Sequence, residues 1–393
     1  MRHSNYDKSG VLNMRKTFVV ADNVISSLGF STAKNFQNLI CGNSGIKIGD
    51  YPHLYPEKFP ASLVDKNLLN EKAGNLHLQE SHTIFEQLLI LSISDAIKDL
   101  SLDIKSPDTL IILASTKGNV DLLKNNPKGF KADRVHLWRS AQIVGDYFGT
   151  AQTPLIISNA CISGVMALIA AQRFIAQGKY KYMIVAGCDV LSEFIVSGFQ
   201  SFMSLSKDIC RPFDNKRSGL SLGEGAATIV LSSQEELAKT PNLQIIAGAG
   251  SNDANHISGP SRTGEGLFIA INEVLNGNPD VDFISAHGTA TPYNDDMESI
   301  ALKRLGLENI PVNSFKGFIG HTMGAAGIIE SIYCFETMRH NLLIKSAGFE
   351  NPGTSEKINV VKQTQAGNVN CVLKTASGFG GSNAAILFTK NDK

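Results

Sequence analysis

Short β-branched runs alternate along this chain with longer segments of helical period, and that alternation confines it to the α/β class more firmly than any single motif does. Lys16 to Ile25, with TFVV inside it, reads as a strand. Ser31 can cap a following helix that places Ala33, Phe36, Leu39 and Ile40 on one face and stops at Gly42. Phe85 to Leu100 has helical period, TLIILA at Thr109 to Ala114 and PLIIS at Pro154 to Ser158 read as strands, and Gly164 to Gln177 is an Ala-rich helix ended by Gly178. YMIVA, Tyr182 to Ala186, is a strand again. The pattern restarts at Leu243 with LQIIAGAG, then a helix over Phe268 to Leu275, the strand VDFISA ending at His287, and a helix from about Asp296 to Leu305. A last strand pair falls near Cys371 to Lys374 and Ala384 to Phe388. The restart predicts two halves, 14–240 and 241–393, meeting near residue 240, although no internal repeat is strong enough to establish duplication.

Composition narrows the setting. With 393 residues, 43% hydrophobic and 18% charged, the chain can bury a large core. Lys plus Arg and Asp plus Glu are 36 each, so no basic field invites nucleic acid. The opening MRHSNYDKSGVLNMRK lacks an apolar core before a cleavage site, and no later stretch reaches the length of a membrane span. A cytoplasmic protein, with neither nucleic acid nor membrane as partner, is expected. Six cysteines without a CxxC pair argue against a disulfide framework and against a zinc site.

One of those cysteines is differently placed. Cys161 in SNACISG follows a predicted strand and precedes a predicted helix, and Ala160, Ser163 and Gly164 permit the tight turn of a nucleophile elbow. The positive end of that helix favours thiolate over thiol. A buried free cysteine is otherwise commonly inert. Two histidines weigh against inertness: His287 in SAHGTATP ends a strand, where functional groups of open α/β sheets collect, and His321 lies in KGFIGHTMGAAG. The small residues after His321 allow close approach by a ligand or by another backbone. Neutral imidazoles can donate N–H groups to a carbonyl oxygen as it gains negative charge. Lys316, five positions before His321, can hold that ring neutral by its charge.

These motifs, with CRPFDNKRSGLSLGEGAA at 210–227, HGTATPYNDDMES at 287–299 and SGFGGSNAAILF at 377–388, stand in an order that resembles the elongating β-ketoacyl-[acyl-carrier-protein] synthases of the thiolase-like superfamily over about residues 16–389. The resemblance implies a five-layered αβαβα sandwich of two similar βαβαβαββ halves, normally a homodimer, catalysing decarboxylative Claisen condensation. It implies acyl carrier protein as partner and acyl and malonyl thioesters as substrates, with no cofactor of the chain's own and no metal.

By the same resemblance Cys161 is the nucleophile that takes the acyl chain. His287 and His321 bind the malonyl thioester carbonyl and promote loss of carbon dioxide, and Lys316 supports the second histidine. Phe379 in SGFGG is the gate, and its backbone N–H joins that of Cys161 in an oxyanion hole, where losing one donor costs on the order of 3 kcal/mol. Glu298 matches an acid of the family, yet Asp295 to Glu298 also has the DxxE spacing of a capping box, so a supporting role stands beside a catalytic one. The glycines of GFGGSN and GAGSND fit neither a phosphate loop nor a dinucleotide fingerprint.

The chain departs from the family at three places: only four residues separate SLS from RPFD, the stretch 49–76 is atypical, and VVADNVISSLG replaces a glycine-rich start. These leave open a fatty-acid role or a specialised polyene or polyketide one. A thiolase would need a second cysteine in a CxG setting, which Cys371 in NCVLK does not have. A coenzyme-A-dependent initiating synthase would use Cys, His and Asn. A non-catalytic partner subunit of the chain-length-factor type is the alternative from another class, and such subunits typically lack the nucleophile.

Overall fold

The computed structural model describes residues 14–391. Most of the opening segment weighed above for a cleavable leader, residues 1–13, lies outside them.

Ten strands form one mixed sheet: β1 Phe18–Ser26, β2 Thr109–Ala114, β3 Leu155–Ile157, β4 Tyr182–Asp189, β5 Gly225–Ser232, β6 Asn242–Asn252, β7 Phe283–Ser285, β8 Val312–Asn313, β9 Cys371–Gly378 and β10 Ser382–Asn391. The spatial order is β8-β7-β9-β10-β6-β1-β5-β4-β2-β3. Divided between β5 and β6, the two sets have one topology. β2 pairs parallel with β3 and β4, and β4-β5-β1 continue antiparallel. β7 pairs parallel with β8 and β9, and β9-β10-β6 continue antiparallel. The duplication that no sequence repeat reveals is therefore plain in strand order. The sets meet at β1 and β6 through one paired position, Phe18 opposite Gln244.

Helices repeat the scheme. α1 Ile84–Ile97 and α2 Leu137–Phe148 lie in the first set, and α5 Glu265–Leu275 and α6 Pro292–Arg304 take the matching places in the second. α3 Ser163–Ala176 follows β3 as α7 Ala326–His340 follows β8, and a further helix, α4 Glu193–Ser201, follows β4. Three apolar cores separate five layers. One lies between α1, α2 and the first set, one between α5, α6 and the second, and the central one encloses α3 and α7.

Strand residues alternate between cores: Leu110 and Ile112 of β2 face the central one, Ile111 and Leu113 the outer. Strands covered on both faces are apolar throughout, which is why TLIILA and YMIVA are legible as strands. α7 is buried from Ala326 to Met338 and has no polar face. Truncating Ile332 at its centre to Ala is expected to cost about 2–5 kcal/mol.

The small run after His321 serves backbone approach rather than a ligand. A Cβ on Gly164 would meet the Gly324 carbonyl and the Ile328 nitrogen, both at 2.9 Å, and one on Gly327 would meet the Val165 nitrogen at 2.6 Å. Glycine lets α3 and α7 cross in contact. Several segments escaped the sequence reading, among them β5, β8 and α7, where the text is small-residue-rich or very short.

Two boundaries differ with consequence. The helix expected from Asp296 begins at Pro292, whose fixed φ suits the first helical position. VDFISA forms strand over Phe283–Ser285, and Ala286, whose N–H still donates to the Asn313 carbonyl, leads into irregular chain at His287.

Candidate active site

Cys161 and His321 occupy matching positions, each shortly before one of the two central helices, so the crossing of α3 and α7 brings them together. His287 joins from the end of β7. The Cys161 Sγ and a ring nitrogen of each histidine lie within 4.8 Å of one another. The rings stand edge to face, centroids 5.1 Å apart. All three residues are buried and line a cavity of about 490 Å³ that opens to the surface past Met203, Ile257 and Tyr293.

The turn carrying Cys161 is strained as an elbow requires. Ala160 has φ +43°, the left-handed region that costs a residue with a Cβ about 1 kcal/mol or more. Gly378 is needed alongside, since a Cβ there would meet the Cys161 nitrogen at 3.0 Å. Thiolate stabilisation by the helix is not what dominates. Burial pushes the Cys161 thiol up to about 12, against a downward pull from Lys316 and a smaller one from Lys117. Desolvation outweighs the pull of both cations, and the resting group is the thiol.

Hydrogen bonds fix both imidazole tautomers. His321 Nδ1 accepts from the Met323 N–H at 3.3 Å, and its Nε2 is buried with no partner among the described residues. A buried, unpartnered N–H is a group awaiting an acceptor. The Lys316 ammonium faces His287 Nδ1 at 3.4 Å, which leaves Nε2 of that ring as the N–H as well. Both rings are held far below the usual imidazole pKa, His287 by burial, then Lys316, His321 and Lys374, and His321 by burial, Lys316 and Lys374. Two neutral Nε2–H donors thus stand beside the thiol.

Lys316 requires a correction. Its contacts are to the first histidine, not the second: Nζ donates to the His287 carbonyl at 2.6 Å and to Glu330 Oε1 at 2.7 Å. The single-turn helix Lys316–Ile319 carries Lys316 under His287, and its effect on His321 is through charge alone.

Behind it lies a group the sequence reading missed. Lys374, fully buried in β9, donates to Glu330 Oε2 at 2.7 Å and to the carbonyls of Ser285, Ala286 and Thr375. Glu330 sits between two ammonium groups. Burial alone would raise its pKa, but Lys316 and Lys374 reverse that and hold it low, so the trio carries net positive charge. A lysine amid the apolar strand text CVLKTASG was the available signal.

Glu298 and Asp295 support the loop rather than cap a helix. Glu298 accepts from the N–H groups of His287 at 2.7 Å and Gly288 at 2.6 Å, and from Thr375. Asp295 accepts from the N–H groups of Phe213, Thr289 and Ala290. Burial pushes Asp295 up to about 7 against those donors. The expected capping box does not form, because the helix starts earlier and both carboxylates turn to the histidine loop.

Phe379 packs on Phe199 and Phe202, with ring centroids at 5.6 and 5.1 Å. With Cys161 these rings border both the open cavity and a second one of about 310 Å³ beyond the thiol. Phe379 therefore stands between the two, followed by Gly380 and Gly381, both left-handed. The second set of contacts unforeseen in the sequence is at Asp189, whose buried carboxylate accepts from Ser115, Thr116 and Gly324, tying the end of β2 to the loop after His321.

A larger cavity, about 860 Å³, lies on the other side of α4 and contains neither the thiol nor the two histidines. Its buried acid, Glu224, is already engaged by the N–H groups of Val64 and Leu191. As for cations, a Cys–His–His cluster offers soft donors, but two ammonium groups behind the rings and a raised thiol pKa oppose a dication.

The chain is similar to known proteins over most of its length. Residues 243–350 match the family described as Beta-ketoacyl synthase, C-terminal domain, and 85–237 its N-terminal domain. A putative mitochondrial 3-oxoacyl-[acyl-carrier-protein] synthase of Schizosaccharomyces pombe is 30% identical, covering 96% of this chain and 99% of its own. A putative polyketide beta-ketoacyl synthase 1 of Streptomyces halstedii is 27% identical, covering 78% of this chain and 81% of its own. Among solved structures, the ketosynthase ApeO in complex with its chain length factor ApeC, from Xenorhabdus doucetiae, gives a TM-score of 0.81 at 25% identity, covering 96% of this chain and 98% of the other. The ishigamide ketosynthase/chain length factor gives 0.85 at 23%, covering 96% and 100%.

Proposed function

The chain belongs to the β-ketoacyl synthase family, and from that premise we propose how its own residues perform the condensation. It is an acyltransferase that joins acyl units in fatty-acid or polyketide synthesis. The observation that carries the assignment of roles is the pair of neutral Nε2–H donors, one of them unpartnered, beside Cys161.

In the first half-reaction the Cys161 sulfur attacks the thioester carbonyl of an acyl chain delivered on an acyl carrier protein. The new C–S bond forms as the bond to the phosphopantetheine sulfur breaks, and the departing thiolate takes up the proton that Cys161 gives up. No resident base is required. The Cys161 and Phe379 backbone N–H groups face the oxygen that becomes negative. In the second half-reaction a malonyl thioester carbonyl accepts from His287 Nε2 and His321 Nε2. The bond to the carboxylate breaks, carbon dioxide leaves, and the enolate oxygen is held by the two rings. The enolate carbon attacks the acyl-Cys161 carbonyl and the C–S bond breaks, leaving a 3-oxoacyl thioester and a Cys161 thiolate that takes a proton from solvent in the open cavity to restore the thiol. Neutral rings suit this work, since they donate without first losing a proton. Lys316, Glu298 and Asp295 position His287.

Phosphopantetheine arrives on the carrier protein, so the reading needs no cofactor held by this chain, and a cytoplasmic setting is part of the same proposal. It works as a homodimer or paired with a related subunit; the ketosynthase–chain length factor assemblies among its structural neighbours support the second arrangement as a real option. Intact-protein mass spectrometry with acyl-carrier-protein donors tests the reading. An acyl adduct on the wild type, absent from Cys161→Ala and discharged by malonyl-carrier protein to a 3-oxoacyl product, is the expected result. Full condensation by Cys161→Ala would sink it, and no adduct with any donor would favour a non-catalytic partner subunit.

A further inference from the structure

The cavity of about 310 Å³ beyond Cys161 contains a charge that the condensation reading leaves unused. Its walls are apolar, formed by Ala160, Ile195, Phe199, Phe202, Met323 and Phe379, except on the side of Thr116 and Lys117. Thr116 is committed, its N–H and hydroxyl both donating to Asp189. The Lys117 backbone N–H also donates to Asp189, at 3.3 Å, so the root of this side chain is anchored to a buried carboxylate. Its ammonium has no acceptor among the described residues. It is still close enough to act on the Cys161 thiol, pulling against its ionisation penalty more strongly than the buried Glu330 adds to it.

An anchored lysine with a free ammonium on the wall of an apolar acyl cavity imposes a preference. A plain alkyl chain entering there strips water from the ammonium and returns nothing, or drives the side chain outward. A chain carrying an oxygen acceptor, whether carbonyl or carboxylate, replaces that water with a charge-assisted hydrogen bond. We propose that Lys117 makes this cavity selective for acyl chains bearing an oxygen acceptor over alkyl chains of equal length. The inference rests on the reading that Cys161 carries the acyl chain.

The test is the rate of acyl transfer to Cys161 from hexanoyl-, 3-oxohexanoyl- and 5-carboxypentanoyl-carrier protein, followed by intact mass, for wild type, Lys117→Ile and Lys117→Arg. The wild type should load at least one oxygenated donor about tenfold or more faster than hexanoyl. Lys117→Ile should bring that ratio to within about twofold while hexanoyl loading rises, and Lys117→Arg should keep the preference. Lys117 is exposed, so the variants are expected to fold. Equal loading of the three donors by the wild type, or a preference that survives Lys117→Ile, overturns the selectivity and leaves the Cys161 assignment standing. Absence of any adduct with all three donors overturns the Cys161 assignment and this inference with it.

Discussion

Replacing Lys374 by Met removes one of the two buried ammonium groups behind the histidine pair while filling similar space. The trio Lys316, Glu330 and Lys374 then changes from net positive to neutral. A unit charge at roughly 10 Å through an effective dielectric near 20 is worth about 1.7 kcal/mol, or roughly one pH unit on an imidazole. Other groups facing the rings are unchanged: Lys316 beneath His287, Glu298 and Asp295 on its loop, and Cys161 between the rings. Both ring pKa values should therefore rise, and the acid limb of malonyl-carrier-protein decarboxylation should move up by about one unit. Stability supplies a second reading with its own sign. Rings held neutral when folded take up protons only on unfolding, so wild-type stability should fall as pH drops below about 6.5, by up to about 1.4 kcal/mol per pH unit for each ring. Lys374→Met should bring the acid end of that slope about one pH unit closer to neutrality, while lowering stability at pH 8 by about 3–5 kcal/mol through a buried carboxylate left with one partner. Decarboxylation rates from pH 8 down through the acid limb, with urea unfolding at each pH, measure both. A folded Lys374→Met protein with an unmoved acid limb and the wild-type slope would refute the electrostatic reasoning.

Other outcomes are expected from single contacts. His321→Ala removes one of the two donors to the malonyl carbonyl and should lower decarboxylation about 10²–10³-fold while leaving acyl loading of Cys161 nearly intact, as separate rate measurements would show. Glu298→Ala leaves the Gly288 N–H without its acceptor and the His287 N–H with only its longer bond to Thr375, and should cost about 1–3 kcal/mol in denaturant unfolding, with loss of condensation. Gly378→Ala drives a Cβ against the Cys161 nitrogen and the Ala160 side chain, so acyl loading should slow about tenfold or more with little change in melting temperature. Phe194 borders both the acyl cavity and the 860 Å³ cavity, and Phe194→Ala should shift loading toward longer chains in a competition of carrier-protein donors.

The sequence by itself determined the fold class and the reactive types. Strands buried on both faces must be apolar throughout, so their text declares them, and a thiol and two imidazoles in small-residue turns declare acyl chemistry through ordered motifs. What tertiary structure decided is how those groups are tuned. Lys316 supports His287 because a one-turn helix carries it under that ring, a direction no spacing encodes. Glu298 and Asp295 serve backbone N–H groups of a loop because the helix begins at Pro292. The thiol is raised, not lowered, since burial depends on every layer packed above it. Lys374 and Lys117 gain meaning only from distant partners, Glu330 across the core and Cys161 across a cavity. Local propensity is written residue by residue, whereas desolvation and pairing are sums over neighbours that the chain brings together only when both halves have closed around α3 and α7.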